Sequence, residues 1–434
     1  MDNLYKKIFK NYLETGKLFF LFGLFLLPSA ISLSIIFLLI SLVISFWYDS
    51  QKLFCDRINL VFLTSCFFLI IGGLLNFFDN NSINNLTNNS AITFIGLLNW
   101  IPLVFAFFGF QKYLLKSADR KRCITVLILG SLPVIFSCFG QFVFNWFGPM
   151  NTLYGLIVWY QRPIDGITGI TGLFNNPNYL AAWLNIIWPF SLSSIFFDNS
   201  NKTKLIFKIL LIFAVSLLII LTASRAGWVS LLIPIFIIYG KRIKLKSLTI
   251  FSGISFVTLY LLAFLFGLKI EDYLLNIIPK GIWINFTDLE YKDLDISRLG
   301  IWRYALNFIS ENPFFGHGSK SFSTLLLNHS GIWKGHAHNL PLELMVDYGI
   351  PASLLILLPI IYLVFKASLK LFFMKLYINE NTIYDRAWII SLISLIIMHL
   401  VDIQYFDGRI SIAGWVLLAG TRNIVIENEK VSKI

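Results

Sequence analysis

The sequence is poor in charge, in cysteine and in motifs for nucleotide chemistry, and each shortage excludes something. Charged residues make up 13% of the 434 positions, about half the share of a soluble domain, so a soluble globular fold is excluded. The four cysteines (Cys55, Cys66, Cys123, Cys138) lie in or beside apolar stretches at no metal-ligand spacing, which argues for membrane-core thiols and against a disulfide framework or a zinc site. No nucleotide-binding motif is present. The N-terminal apolar run lacks a small-residue cleavage site and is expected to remain as a span. No internal repeat and no Gly/Ser-rich linker divides the chain, so one membrane domain over 1–434 is expected. What is abundant is apolar: 57% hydrophobic residues, with 43 Phe. The fold class that follows is an all-α integral membrane protein.

A span needs about 20 apolar residues to cross roughly 30 Å of hydrocarbon. Residues 18–47 are nearly uncharged and broken by Leu27-Pro28-Ser29. One helix of that length would overshoot the bilayer, so two short helices joined by a tight turn are expected. Further spans are expected near 59–77, 92–110, 123–146, 178–196, 205–223, 226–240, 248–268, 340–365, 387–403 and 410–421, about twelve in all.

The formal charge of +12 invites a nucleic-acid reading, but its distribution excludes one. Most basic residues sit in short runs between alternate apolar stretches: Lys6 to Lys17, Lys52 and Arg57, Lys112 to Arg122, Lys202 to Lys208, Lys241 to Lys246, Lys366 to Arg386, and Arg422 to Lys433. By the positive-inside rule these runs face the cytoplasm. Both termini then lie inside. The loop 79–90, the loop 147–177, Arg225, a long 269–337 loop and the Asp402–Arg409 turn lie outside.

The longest polar interruption, Asp293 to Pro351, concentrates groups able to do chemistry. Arg298 and Arg303 fall in a stretch whose apolar positions recur at 299, 301/302, 305/306 and 308/309, the pattern of an amphipathic surface helix. Asp295 or Ser297 could cap it. Glu311-Asn-Pro-Phe-Phe-Gly-His-Gly318 then ends it at Pro313 and turns, so His317 reads as scaffold. His336-Ala-His338-Asn339 stands just before the next span. Two histidines at i, i+2 could bind zinc from an extended segment, but no cysteine or acidic cluster nearby completes a site, and no metal is assigned. A neutral imidazole suits a general base, oriented by Asn339 or a carboxylate. Spacing does not say which histidine acts. Glu343 and Asp347 follow at i, i+4, and Asp402, Asp407 and Arg409 cluster at the last outer turn. An acid there could pair with an arginine.

Arg225, in Thr222-Ala-Ser-Arg-Ala-Gly-Trp228, stands between two apolar runs. It could snorkel as a helix terminator, but charge near membrane depth is a functional candidate, and a guanidinium fork matches a phosphate. Asn175-Asn-Pro-Asn178 opens the following span, with Asn178 as a possible cap.

These stretches resemble the O-antigen ligase and polymerase superfamily, through TGLFNNPNYLA (171–181), SRAGW (224–228), RLGIWRYAL (298–306), ENPFFGHGS (311–319) and HAHNLPLELMVDYGIP (336–351). GLLNWIPLVFAFFGFQ (96–111) is similar to cyanobacterial members. The resemblance implies about twelve helices with one long periplasmic loop, in the bacterial plasma membrane, acting on glycans carried by undecaprenyl pyrophosphate. It implies that Arg225 and Arg298 are essential arginines and His338 the essential histidine, with Asp402 as a further acidic residue. Arg303 and His336 duplicate members of that set and, with Asn339 and Asp402, are candidate substrate-binding residues. The expected reaction is metal-independent, cofactor-free and inverting. The acceptor is a lipid-glycan, a second lipid-linked repeat, as in a polymerase, or a protein, as in some relatives. The contrasting readings are an anion transporter, which should show ionisable residues at mid-membrane, and a non-catalytic scaffold.

Overall fold

The computed structural model describes residues 2–48, 56–78, 91–164, 169–195, 202–239, 298–373 and 380–429. The chain is helical nearly throughout. The helices are α1 (Asp2–Leu26), α2 (Ile31–Tyr48), α3 (Arg57–Phe78), α4 (Ala91–Leu97), α5 (Ile101–Phe110), α6 (Ser117–Gly130), α7 (Leu132–Phe144) and α8 (Pro177–Ser193). They continue as α9 (Lys202–Leu221), α10 (Arg225–Tyr239), α11 (Arg298–Glu311), α12 (Ser321–Ser330), α13 (Leu340–Ser368), α14 (Glu380–His399) and α15 (Gly408–Glu429). A short antiparallel hairpin, β1 (Met150–Thr152) and β2 (Ile157–Trp159), interrupts the series.

Among the described residues, seven helical segments are long and apolar enough to cross a membrane, where the sequence led us to expect about twelve. The difference has local causes. Residues 18–47 do divide at Leu27–Ala30 into packed helices α1 and α2, but the first half of α1 is polar and only 18–26 is continuously apolar. α8 and α10 have 17 and 15 residues, and at 1.5 Å per residue α10 covers about 22 Å, short of the hydrocarbon thickness. The expected span 248–268, the capping residues Asp295 and Ser297, and the 269–297 part of the long loop lie outside the described residues. The rest of that loop forms α11 and α12.

Several boundaries also differ. The segment expected at 123–146 is two helices, α6 and α7, which part at Ser131, and 92–110 parts at Leu98–Trp100. Each second half carries a proline in its first turn, Pro133 and Pro102, where the missing N–H is not needed. The helix expected over 387–403 ends at His399, leaving Asp402 in a turn. The last helix runs on beyond 421 because its polar end is held: Arg422 pairs with Asp56, and Asn423 donates to the carbonyl of Gln111 at 2.7 Å.

α8 is the central element, buried at every position from Leu180 to Ser193 and packed by α9, α10 and α14. A helix apolar all round belongs in such a place. Several polar groups on and around it find partners there. The indole of Trp183 donates to Ser131 Oγ at 2.9 Å, that of Trp188 to the carbonyl of Leu231 at 2.9 Å, and Ser391 Oγ donates to the carbonyl of Ile186 at 2.8 Å. Its cap is Asn176, not Asn178: the Asn176 side chain accepts the Asn178 N–H at 2.8 Å.

At one end of the bundle, Arg120 is wholly buried. It grips Asp385 with two hydrogen bonds, of 2.7 and 2.9 Å, reaches Glu427 at 2.7 Å and donates to the carbonyl of Leu114 at 3.0 Å. This guanidinium, which sequence placed among the membrane-orienting cations, ties α6 to α14 and α15. Removing one partner of such a pair strands the other charge, at about 3–5 kcal/mol. Arg120→Met is therefore expected to lower the thermal unfolding midpoint of the purified protein sharply. An unaltered midpoint would show that these helices do not depend on the pair.

Candidate functional site

Asp385 stands near the start of α14, and Asp402 follows its end. About 20 Å of helix separates them, so the acid that the sequence singled out lies at the opposite end of the bundle from Arg120. The site there is assembled by an interlock between two loops and a broken helix. α13 opens at Asn339, whose Oδ1 accepts the Leu342 N–H at 3.0 Å, and breaks at Gly349 (φ 79, ψ 169). Pro351 has no N–H for the carbonyl of Asp347, and the break frees that of Val346. The segment 313–318 fills both vacancies. His317 N–H donates to Val346 O at 2.8 Å, Gly318 N–H donates to Asp347 O at 3.0 Å, and Ile350 N–H turns out to Pro313 O at 2.8 Å. Gly316 (φ 66) is required at the crossing, since a Cβ there would lie 2.5 Å from the Asp347 backbone.

The buried acids of α13 complete the frame. Asp347 accepts the backbone N–H groups of Lys320 (2.9 Å) and Ser321 (3.2 Å), capping α12 from outside. Glu343 accepts the Ala337 N–H at 2.7 Å. The i, i+4 acids are thus structural supports for the loop that carries the histidines. His317 is structural too, its Nε2 lying 2.8 Å from the Phe308 carbonyl.

Between these supports the backbone reverses at His338, which takes a left-handed φ of 51, a conformation histidine adopts more readily than most residues. The segment is therefore turned, not extended. Its two imidazoles meet edge to face with centroids 4.3 Å apart, and His338 N–H donates to His336 Nδ1 at 3.2 Å. Nδ1 of His338 lies 2.8 Å from Oδ1 of Asp402, and Nε2 of His336 is 3.8 Å from the same oxygen. The two candidate orienting groups separate here. Asn339 donates to the Leu400 carbonyl at 2.9 Å and so fastens the two loops, while Asp402 takes the imidazole. Asp402 pairs with no arginine among the described residues; Arg409 holds Asp407 instead and lies over the Phe174 ring, 3.8 Å from its centroid.

Burial alone would raise the Asp402 carboxyl, but the bond from His338 and the charges of both histidines outweigh it, so the group stays below the usual carboxylate range. Beside an ionised Asp402, the tautomer of a neutral His338 that can donate from Nδ1 has its lone pair on Nε2. His336 differs. Burial first, and then the His338 charge, push it down to about 4 against the pull of Asp402, so it is neutral and a weak base at pH 7. Gln404 went unnoticed in the sequence. It is fully buried and its Nε2 donates to Asp402 Oδ2 at 3.3 Å. Only its place two residues beyond Asp402 in a turn could have marked it.

The structure brings His336, His338, Asn339 and Asp402 together, but does not join Arg298 and Arg303 to them by any ion pair. Both are exposed on α11, which lays Ile301, Ala305, Phe308 and Ile309 into the core against α12 and α13. Arg225 opens α10 rather than ending a helix. Ala223 (φ 57) reverses the chain and Ser224 Oγ accepts the Gly227 N–H at 3.3 Å, leaving the Arg225 side chain exposed at a helix N-terminus, where the dipole favours anions. The segment 170–176 links this point to the Asp402–Arg409 turn: Ile170 N–H donates to Leu221 O at 3.1 Å, and Arg409 donates to Leu173 O at 2.7 Å. Arg225 and the imidazole–carboxylate pair therefore share one end of the bundle.

Apolar helices around a buried core, with ionisable groups gathered at the two ends, define a multi-pass helical membrane protein. A family model described as O-Antigen ligase matches residues 209–357, and this match supports the resemblance to the O-antigen ligase and polymerase superfamily. The matched segment contains Arg225, Arg298, Arg303, His336, His338 and Asn339 and stops short of Asp402. A comparison with curated proteins gives no match. The family match supports a membrane enzyme of glycosyltransferase type that acts on lipid-linked glycans.

Proposed function

We propose that the protein transfers a glycan from undecaprenyl pyrophosphate to an acceptor hydroxyl at the outer face of the bacterial plasma membrane. The observation that carries this reading is the 2.8 Å contact between His338 and Asp402, which leaves one imidazole nitrogen free as a base. In the reaction, His338 Nε2 takes the proton of the acceptor hydroxyl. The oxygen bonds to the anomeric carbon from the face opposite the leaving group, the bond from that carbon to the phosphate oxygen breaks, and the configuration inverts. Asp402 stabilises the imidazolium that forms. Arg225 and Arg298 receive the pyrophosphate, neutralising the charge that builds on it, and no metal is required for that. Arg303 adds a third cation for the anionic donor, and neutral His336 offers a hydrogen bond to sugar.

The basic runs support cytoplasmic termini and a periplasmic site, within one domain that carries 269–337 as an outer loop. The bilayer holds the polyprenyl chain. Ligase and polymerase differ in acceptor: a lipid-glycan for the first, a second lipid-linked repeat for the second. Membranes carrying wild type, Arg225→Ala, Arg298→Ala or His338→Ala, supplied with undecaprenyl-pyrophosphate oligosaccharide and both kinds of acceptor, test the assignment. Wild type is expected to transfer to one acceptor class, and each variant to lose about 100-fold or more. Transfer at the wild-type rate by the variants would overturn the site. Transfer to neither acceptor by wild type would favour a scaffold or a transporter.

A further inference from the structure

The loop carrying His336 and His338 and the turn carrying Asp402 aim three metal-binding side chains at one point. One donor atom from each lies within 4.8 Å of the other two. Around a tetrahedral zinc with nitrogen and oxygen ligands at about 2.0–2.2 Å, neighbouring donors stand about 3.3 Å apart. Here His338 Nδ1 is 2.8 Å and His336 Nε2 is 3.8 Å from Asp402 Oδ1, each within about half an ångström of that spacing. Two imidazoles and a carboxylate suit zinc, cobalt or nickel better than magnesium or calcium. Gln404 holds the other oxygen of Asp402, the kind of outer contact that steadies a ligating carboxylate. The side chains of His336 and His338 are 21% and 29% exposed, so an ion has a way in from solvent.

We propose that this cluster is a reversible inhibitory site for a divalent transition-metal ion, whose binding excludes the base function of His338. The inference rests on the reading of His338 as the base. A neutral imidazole keeps one ring proton. Coordination through Nδ1 moves that proton to Nε2, the nitrogen that would receive the proton of the acceptor, so a metallated His338 has no lone pair to offer. The same logic applies to His336: binding through Nε2 places its proton on Nδ1, where the His338 N–H now donates at 3.2 Å. Both hydrogen bonds of the metal-free pair are given up on binding. The site is accordingly weak, with micromolar affinity and rapid release, unlike a closed structural zinc site. A water completes the coordination.

The test uses the full-length protein in detergent, purified on a tag without histidine, stripped with EDTA and titrated with cobalt(II). The expected result is one equivalent bound at micromolar concentration with the visible absorption of four-coordinate cobalt, displaced by zinc, and at least tenfold weaker in both His336→Ala and Asp402→Asn. Glycan transfer by wild type should fall over the same zinc concentrations and return on adding EDTA. Any residual transfer by His336→Ala should not respond to zinc over that range. Absence of stoichiometric cobalt binding by wild type, or binding that both substitutions leave intact, would overturn the site. Binding without loss of transfer would overturn its inhibitory role. Should wild type transfer no glycan at all, the titration still decides whether the metal site exists, so the two readings fail separately.

Discussion

Asp402→Asn is expected to reduce glycan transfer by two to four orders of magnitude while leaving the fold intact. The substitution keeps the volume of the side chain and removes its charge. Both carboxylate oxygens are in use, Oδ1 by His338 and Oδ2 by Gln404, whereas an asparagine has one acceptor oxygen. If the amide oxygen goes to Gln404, its NH2 faces His338 Nδ1 and selects the tautomer with the proton on Nε2, which cannot accept the proton of the acceptor. If it goes to His338, the imidazolium still loses the negative charge beside it. Either way kcat is expected to fall, with little change in KM for the lipid-linked donor, because Asp402 touches His338, the proposed base, and not Arg225 or Arg298, the proposed pyrophosphate ligands. A rate within a few-fold of wild type would show that His338 needs no carboxylate and would remove the pair from the mechanism.

Gly349→Ala should damage the fold itself. At φ 79 and ψ 169 the residue occupies a region open essentially to glycine alone, at about 1–3 kcal/mol for anything else. A Cβ would also collide with the carbonyl oxygen of Phe314, a backbone atom held in place by the contacts of Pro313 and His317 with α13. Together these predict a loss of about 3 kcal/mol or more, read as a large fall in the thermal midpoint and in the yield of folded protein. Gly331 supplies the control. It has a φ of 70, but nothing lies within 4 Å of a Cβ built there, so Gly331→Ala should cost only about 1–2 kcal/mol from its left-handed backbone. Equal effects from the two substitutions would show that the interlock of 313–318 with α13 contributes nothing.

Much of the architecture can be read from periodicity and punctuation. Leu27-Pro28-Ser29 marks the turn between α1 and α2, and Pro313 follows the end of α11. The breaks at Ser131 and at Leu98–Trp100 are also written in the chain, as Pro133 and Pro102 in the first turn of the following helix, but a long apolar run conceals them because hydropathy does not distinguish one helix from two. Arg120 shows a different limit. In the sequence it is one cation in a basic run, and only the arrival of Asp385 and Glu427 from the last two helices makes it a core residue.

The candidate site was legible in its parts and not in its pairing. His338 and Asp402 are both conspicuous, yet 64 positions separate them and no local pattern says that they meet. The choice between His336 and His338 depends on the left-handed turn at His338, which gives one ring the carboxylate and tucks the other behind it. The glycines and acids of 311–319 and 343–351 look like separate motifs in the sequence. In the fold they are two halves of one joint, since a carbonyl freed by Gly349 and Pro351 is answered by an N–H from a loop some thirty positions earlier.

The most direct measurement is release of undecaprenyl pyrophosphate by the purified, metal-free wild-type protein in liposomes, given the lipid-linked oligosaccharide with and without an acceptor glycolipid. The expected result is release matched mole for mole by glycan gained by an acceptor, either the added glycolipid or a second lipid-linked oligosaccharide, and lowered about 100-fold or more by His338→Ala. Protein that is folded by its thermal midpoint but releases no pyrophosphate carrier with either acceptor class, or releases it equally well without His338, would contradict it.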